Sequence, residues 1–418
     1  MTDVAPGGPA ARPSAAGQTP EEFAGEFREW LEANLSGEFA RLRGTGGPGS
    51  EHQFFSARRE WERHMAAAGW TCVGWPTEHG GRGASLAQQV LFHEEYAKAN
   101  APARVSHLGE TLLGPTLIAH GTEEQKRRFL PRIVAVDELW AQGYSEPDAG
   151  SDLANVATTA RLDAEAGEYV LHGQKVWTSL AHLSQWAFVI ARTEQGSKRH
   201  KGLSFLLVPL EQDGVEIRPI QQLTGTSEFN EVFFDGARTG ADMRVGAEGE
   251  GWKVAMTLLG FERGVSTLGQ QVGFARELER LTALARETGQ AEYPAIRARI
   301  VDAWIGLKTI RAHALRTLAE PDPSGGNASA AKLLWANWHR DLGELAMSIE
   351  GAAGLLGPTE TSEGEPNDLR DPAQLELAEW QRSFLFSRSD TIYGGSNEIQ
   401  RNIISERVLG LPREARPQ

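Results

Sequence analysis

The chain has 418 residues, of which 40% are apolar and 23% charged, as in a folded, water-soluble protein with a sizeable core. Its 42 basic and 56 acidic residues give a net charge of -14, which repels phosphate backbones and anionic lipid and argues against nucleic-acid and membrane partners. The single cysteine, Cys72, excludes an intrachain disulfide, and neither a secretory signal nor an apolar run of about 18 residues is present. We therefore expect a cytoplasmic protein.

The residue pattern changes three times along the chain. Residues 1–20 are rich in Pro, Gly and Ala, have nothing to bury, and are predicted to be a disordered tail. Apolar residues recur every three to four positions in 21–130, which predicts an N-terminal helical domain. Short β-rich runs between turn residues predict a β domain at 131–242, and helical periodicity then predicts a four-helix-type bundle at 243–412. The predicted fold class is α+β and mostly α.

Generic catalytic motifs are missing from the sequence. It contains no phosphate-binding P-loop, no zinc-binding HExxH helix and no GxSxG nucleophile elbow. The eleven histidines show no short repeated spacing, so no metal site is predicted. Hydrolase, nucleotidase and metalloenzyme functions therefore lose their usual support.

Two polar clusters are more informative. The segment QGYSEPDAGSDLA (142–154) is a turn-rich loop that can present hydroxyls and backbone N–H groups in a fixed arrangement. In GQKVWTSLAHLSQW (173–186), Trp177 lies between Lys175 and Ser179, and an indole there can cover a flat aromatic ligand whose rim Ser179 bonds. On these residues alone, the loop could be an ordinary solvated turn, and a tryptophan such as Trp177 is more often a core residue.

Six segments taken in order resemble the acyl-CoA dehydrogenase family: YSEPDAGSD, GQKVWTS, GLSFLLVP, FNEVFFDG, GEGWKVAMTLLGFERG and TIYGGSNEIQRNIISERVLGLP. The resemblance covers residues 21–412, and the family's order of helical domain, β domain and helical bundle agrees with the pattern above. It implies a flavoprotein that uses FAD to remove hydrogen from the α and β carbons of an acyl-CoA, leaving a trans-2-enoyl-CoA. It also implies an electron-transfer flavoprotein or similar acceptor, and assembly as a homo- or heterotetramer or as a dimer.

The resemblance assigns flavin contacts in the middle domain to Gln142, Tyr144, Ser145, Ser151, Trp177 and Ser179. It assigns further contacts to Gly395 and Ser396 and, from a neighbouring subunit, to Arg286. That last segment departs from the family pattern, because ARETGQ lacks the usual Phe and Ser348 replaces a usual Gln. The way in which the adenine end of FAD is held therefore stays open.

The base that removes the α proton is not where many members of the family carry it. Their Tyr-Glu-Gly turn reads Tyr393-Gly394-Gly395 here. Some relatives carry the base just before the Arg of a long helix, which apolar periodicity predicts here from Val254 onward, and Glu262 matches that position. The residues alone favour a Glu262 at the edge of an apolar stripe that reaches solvent or pairs with Arg263. The resemblance favours Glu262 as the base.

Gly394 keeps the backbone N–H that binds the thioester oxygen in the family, and its missing side chain leaves space for a bulky or branched acyl group. Substrate contacts are expected from Ser151 and from Arg263, although Arg263 could instead orient Glu262 or form a surface ion pair.

Two other functions remain open at this point. A flavin monooxygenase of the same fold needs no base beside an acyl α carbon, and a non-catalytic subunit could complete a heterotetramer with an active paralogue. Four tryptophans of the C-terminal region suit a subunit interface and a bundle core equally well: Trp304, Trp335, Trp338 and Trp380.

Overall fold

The structure, a computed structural model, describes residues 14–262, 266–319, 325–358 and 377–413. The chain divides into two compact units, the first formed by Met1–Ile220 with Ser227–Gly264 and the second by Gln221–Thr226 with Val265–Gln418. No helix in the described ranges is both long and apolar enough to cross a lipid bilayer.

The helices of the first unit are α1 (Pro20–Asn34), α2 (Phe55–Ala67), α3 (Leu86–Lys98), α4 (Gly114–His120), α5 (Glu123–Val134) and α6 (Gly251–Glu262). Thr19, Ser85 and Thr122 begin α1, α3 and α5, because each hydroxyl accepts the N–H three residues ahead and the side chain there returns a bond. Phe27 on α1 is fully buried and packs on Trp70 and Phe92. Aromatic side chains thus hold the N-terminal helices together.

The predicted tail is shorter than 1–20. Ala15 is buried and its N–H donates to the carbonyl of Arg82, so the chain already packs against the helical domain before α1 begins. The first part of the predicted tail, residues 1–13, lies outside the described residues.

The strands are β1 (Trp140–Gly143), β2 (Thr159–Asp163), β3 (Glu168–Ser179), β4 (Trp186–Arg192), β5 (Leu203–Pro209), β6 (Val215–Ile220), β7 (Phe229–Gly240) and β8 (Arg244–Val245). They form one sheet in the order β6-β7-β3-β2-β4-β5-β8, with β1 parallel to β4. The central strands β4 and β5 are buried on both faces, since Phe188 and Phe205 pack toward the helices while Val189 and Leu206 pack toward the opposite layer.

The helical domain ends later than predicted. Helix α5 runs through Pro131 to Val134, whereas a boundary at 131 was expected. Pro131 is tolerated because it lies in the last turn and removes only one backbone hydrogen bond.

The helices of the second unit are α7 (Ser266–Glu287), α8 (Pro294–Ala319), α9 (Gly326–Glu350), α10 (Glu379–Asp390) and α11 (Asn397–Ile403). Their core includes Trp335, Trp338 and Trp380, whereas Trp304 on α8 is 54% exposed. The helical pattern of the predicted bundle is interrupted at 391–396, where Gly394 and Gly395 have positive φ angles of 63° and 86°. The observed order of helices, sheet and helices confirms the predicted fold class.

Candidate active site

The loop after β1 and the C-terminal half of β3 are joined by hydrogen bonds. The backbone N–H of Val176 donates to the carbonyl of Ser145 at 2.9 Å. The Lys175 ammonium donates to the carbonyl of Tyr144 at 3.1 Å and to the Glu146 carboxylate at 2.8 Å. The two polar clusters found in the sequence therefore form one surface.

Lys175 and Glu146 form a buried ion pair that fixes this surface. Burial has the largest influence on Lys175 and lowers the pKa of its ammonium to about 8, although Glu146 opposes the shift. Burial alone would raise the pKa of Glu146, but Lys175 and the N–H groups of Ala157 and Thr158 outweigh it and hold that pKa below its usual value. At neutral pH both groups are charged, so each compensates the other inside the protein.

Trp177 extends from a bulge in β3. The pairing of β3 with β7 shifts register between Lys175 and Thr178, and the Trp177 backbone has a φ of 59°. A bulky residue in this conformation costs about 1–3 kcal/mol and is characteristic of functional sites. The indole is 58% exposed and makes an edge contact with Phe229. Trp177 is therefore not a core residue, and its large ring faces outward.

The loop and the strand that carries this ring also contain hydroxyl groups with unused hydrogen-bonding capacity. Ser145 and Ser179 are half-buried, and neither hydroxyl has a hydrogen-bond partner among the residues that the structure describes. The hydroxyl of Thr178 is fully buried and also lacks a partner in that part of the chain. An exposed aromatic face on a strand that also carries Ser179 and bonds the Ser145 loop suits a flat heterocycle with a polar rim, so Trp177, Ser145 and Ser179 fit an isoalloxazine ring.

The remaining predicted contacts of this loop differ in their exposure. Gln142 is half-buried on β1, and Tyr144 is buried with its ring edge-on to Phe188 and Phe205. Ser151 is exposed at the loop surface, where it is free to meet a ligand from solvent.

A basic hairpin lies against the same loop. Lys198, Arg199, His200 and Lys201 follow one another between β4 and β5, and the Arg199 guanidinium contacts the Asp152 carboxylate at 3.0 Å. Lys198 and Lys201 are exposed. On a chain with a net charge of -14, this cluster is a local positive region beside the loop that carries Ser151.

The turn Tyr393–Gly394–Gly395 is ordered within the second unit. The Gln400 side-chain amide donates to the carbonyls of Gly394 and Gly395, both at 3.1 Å. A side chain at 395 would bring its first carbon within 2.5 Å of the Gln400 amide nitrogen, so glycine is required there. The N–H of Gly394 has no acceptor among the described residues, and it is therefore available to a ligand.

The other predicted residues are placed as follows. Ser396 accepts the N–H of Ile399 at the start of α11, and Arg286 is exposed near the end of α7. Glu262 is the last residue of α6, but its side chain lies outside the described part of the structure, as does all of Arg263. Their predicted roles therefore remain predictions.

Sequence reasoning missed the role of Lys175 and Glu146. Both lie in the quoted motifs, and the signal that could have found them is an alternation in β3 that turns Lys175 to the same buried side as Leu171. A lysine on the buried side of a strand requires an acidic partner, and Glu146 is a nearby candidate in the adjoining loop.

Family models match nearly the whole chain. They are the N-terminal domain of acyl-CoA dehydrogenase at residues 18–137, its middle domain at 141–237 and its C-terminal domain at 249–409.

Individual relatives agree with these matches. The acyl-CoA dehydrogenase IpdE1 of Mycobacterium tuberculosis is 62% identical over 400 residues, covering 96% of this chain and 100% of the relative. IpdE1 of Mycolicibacterium smegmatis is 62% identical over 404 residues, covering 95% and 99%. Among solved structures, the Tcur3481-Tcur3483 steroid ACAD is 30% identical with a TM-score of 0.78, covering 97% of this chain and 100% of that one. The chain belongs to the acyl-CoA dehydrogenase family.

Proposed function

We propose that this chain is an FAD-dependent acyl-CoA dehydrogenase that desaturates a bulky acyl group between its α and β carbons. The observation that carries the proposal is Trp177, held outward at positive φ on the strand that carries Ser179 and bonds the Ser145 loop, together with two serine hydroxyls that have no partner among the described residues. The name of the steroid ACAD, 30% identical to this chain, supports a bulky polycyclic acyl group.

The cofactor would be held by several elements. Trp177 would cover the flavin ring, Ser145 and Ser179 would bond its rim, and the segment of Gly395 and Ser396 would supply further contacts. When bound, FAD provides the acceptor for the hydride that leaves the β carbon. Arg286 would contribute from a neighbouring subunit.

Two groups of this chain would act on the thioester. The Glu262 carboxylate would take the α proton, and the Gly394 N–H would bond the thioester oxygen, where negative charge develops. Because Gly394 has no side chain, a bulky acyl group meets no steric barrier from that residue. Ser151 and Arg263 would contact the substrate.

The basic hairpin supports a CoA thioester as substrate. The CoA moiety carries a pyrophosphate and a 3′-phosphate, and Lys198, Arg199 and Lys201 offer positive charge beside the Ser151 loop.

Assembly with further subunits is also part of the proposal. Val301, Trp304 and Ile305 are each at least half exposed and lie on one face of α8, which suits an apolar interface. The names of two solved relatives each pair two proteins: the Tcur3481-Tcur3483 steroid ACAD and the ChsE4-ChsE5 complex from Mycobacterium tuberculosis. The ChsE4-ChsE5 structure is 29% identical to this chain with a TM-score of 0.75. A tetramer, cytoplasmic location and transfer of electrons to an electron-transfer flavoprotein complete the proposed function.

The test is an anaerobic titration of the purified protein with acyl-CoA thioesters while the oxidised flavin band is recorded. A polycyclic acyl-CoA should bleach the band, and straight medium-chain thioesters should do so poorly. A preference for straight chains would overturn the bulky substrate, and failure of every thioester to bleach bound flavin would overturn the dehydrogenase. Protein that purifies without flavin absorbance would favour a non-catalytic subunit.

Glu262→Gln separates the two enzymatic alternatives. The variant should keep its flavin but lose bleaching, because the amide cannot accept the α proton. Glu248→Gln, an exposed carboxylate paired with Arg244, is the matched control and should bleach normally. A flavin monooxygenase would instead keep oxygen-dependent turnover in Glu262→Gln.

A further inference from the structure

The turn Tyr393–Gly394–Gly395 is attached to a buried chain of charged groups in the second unit. The Tyr393 hydroxyl donates to one carboxylate oxygen of Asp390 at 2.8 Å, and the other oxygen accepts from Nδ1 of His339 at 2.5 Å. On the far side of the ring, Nε2 of His339 lies 3.1 Å from the Glu277 carboxylate. Glu277, His339 and Asp390 come from three different helices, α7, α9 and α10.

His339 lies between two carboxylates that favour its doubly protonated form. Both ring nitrogens face carboxylate oxygens, so a neutral ring would direct a lone pair at one of them. Burial disfavours the charged ring, but the bonds to Asp390 and Glu277 outweigh it and raise the pKa of His339 to about 10. The side chains of Asp390 and His339 are only 3% and 13% exposed, and the ring of Phe274 covers the imidazole at 5.0 Å. Solvent therefore competes little for these bonds.

A second cation fixes the face of the Tyr393 ring. The Lys332 ammonium lies 4.2 Å from the Tyr393 ring centre and 4.1 Å from that of Trp335, and Lys332 is only 7% exposed. A desolvated cation over an aromatic face is attracted by the ring quadrupole. Tyr393 is thus held by its hydroxyl and by its face.

The turn is held on its other side as well. Gln400 is fully buried and bonds the carbonyls of Gly394 and Gly395, as described above. Two consecutive glycines would otherwise be the most mobile part of this segment. With Tyr393 fixed on one side and Gln400 on the other, the direction of the Gly394 N–H is determined.

We infer that His339 and Asp390 are positioning residues that act through Tyr393 to hold the Gly394 N–H in its bonding direction. The inference rests on the proposed function, in which that N–H bonds the thioester oxygen. Neither residue touches the substrate in this scheme. A fixed donor stabilises the developing charge without reorganisation, whereas a small misplacement lowers the rate steeply.

The test compares three variants of the full-length protein. Tyr393→Phe removes only the hydroxyl that Asp390 holds, and His339→Gln removes the buried cation. Glu344→Gln is the control, because it breaks a different bridge between α9 and α10, the 2.7 Å ion pair with Arg388, which involves neither His339 nor Tyr393. Two quantities are measured: amide hydrogen exchange of a peptide spanning 391–396, and kcat and KM for the thioester that bleaches the wild-type flavin.

We expect Tyr393→Phe and His339→Gln to speed exchange of the turn amides about tenfold and to lower kcat about tenfold, with KM within twofold, because an interaction of the transition state is misaligned. Glu344→Gln should match the wild type in both measurements. The inference is wrong if Tyr393→Phe, which removes a single oxygen, leaves exchange or kcat unchanged. If no thioester reduces the wild-type flavin, the proposed function fails and with it the catalytic part of the inference, while exchange still decides whether the chain holds the turn.

Discussion

At the scale of single residues, Lys175 is the side chain on which the geometry of the proposed flavin surface depends. Its ammonium joins the Tyr144 carbonyl to the Glu146 carboxylate, and so connects β3 to the loop after β1. Because the pair is buried, its attraction must offset the loss of hydration of two ions. Such a pair contributes little net stability, but it fixes which backbone groups meet.

Lys175→Met tests this dependence. Removing the cation leaves the Glu146 carboxylate buried with only the N–H groups of Ala157 and Thr158, so the free energy of unfolding should fall by about 3 kcal/mol. Urea unfolding measures the change. Lys198→Met, in the exposed hairpin, should change it by less than about 0.5 kcal/mol. An equal change in the free energy of unfolding for both substitutions would show that the buried lysine matters no more to stability than the exposed one.

At the scale of secondary-structure elements, the sequence predicted strands better than their irregularities. Short β-rich runs predicted the β domain, because one face of a strand such as β3 must be buried in a fixed register. The bulge that turns Trp177 outward could not be predicted, because it depends on the pairing of β3 with β7, which is distant in sequence. The break at 391–396 follows from local glycines, yet the apolar residues on both sides preserved a helical pattern across it.

Ion pairs between residues distant in sequence could likewise not be predicted from the sequence pattern. His339, Glu277 and Asp390 lie on three helices, and periodicity identifies the buried face of each helix without showing which charged residues meet. The motifs did single out Ser145, Trp177 and Ser179 as predicted flavin contacts, because a resemblance transfers positions in a known fold as well as residue types.

The hairpin between β4 and β5 provides a prediction at this scale. Lys198→Gln combined with Lys201→Gln should raise KM for the acyl-CoA about fivefold with little change in kcat, because two charges that would attract the CoA phosphates in the proposed complex are lost. Steady-state kinetics at low and high salt measure the effect, which should shrink as salt screens the remaining charges.

Arg127→Gln with Arg161→Gln is the matched control for the hairpin. Both arginines are exposed in the first unit, and their loss removes the same net charge from other elements. A similar rise in KM in this control would mean that total charge, and not the hairpin, attracts the substrate.

At the scale of the whole molecule, the free energy of unfolding should depend on pH through the titration of His339. Its pKa is about 10 in the folded protein and about 6.5 in an unfolded chain, so the folded state binds more protons between these values. The contribution of His339 is therefore complete below about pH 6.5 and is lost as the pH rises toward about 10.

Urea midpoints of the wild type and His339→Gln between about pH 6 and pH 10 measure this loss. The gap between the two proteins should be largest at the acidic end and should narrow toward pH 10. Titration of Lys175, which has the opposite sign above about pH 8, affects both proteins and cancels in the comparison. A gap that is independent of pH would mean that His339 is not charged in the folded state.

Assembly is the property of the whole molecule that composition left most open. Three of the four tryptophans named from the sequence are core residues, which leaves Trp304 with its neighbours Val301 and Ile305 as the exposed apolar face of α8. Tryptophan at the centre of such a face is a frequent hot spot of subunit interfaces.

Trp304→Glu combined with Ile305→Glu should therefore lower the mass of the complex in sedimentation velocity, because two desolvated carboxylates cannot be accommodated in an apolar interface. Leu162→Glu is the control, since Leu162 is similarly exposed on β2, and it should sediment like the wild type. Co-expression with a paralogous chain decides between the two kinds of assembly, because a heteromer forms only with the second chain present. A wild type that sediments as a single chain, alone and with the paralogue, would show that the exposed face of α8 is not a subunit interface.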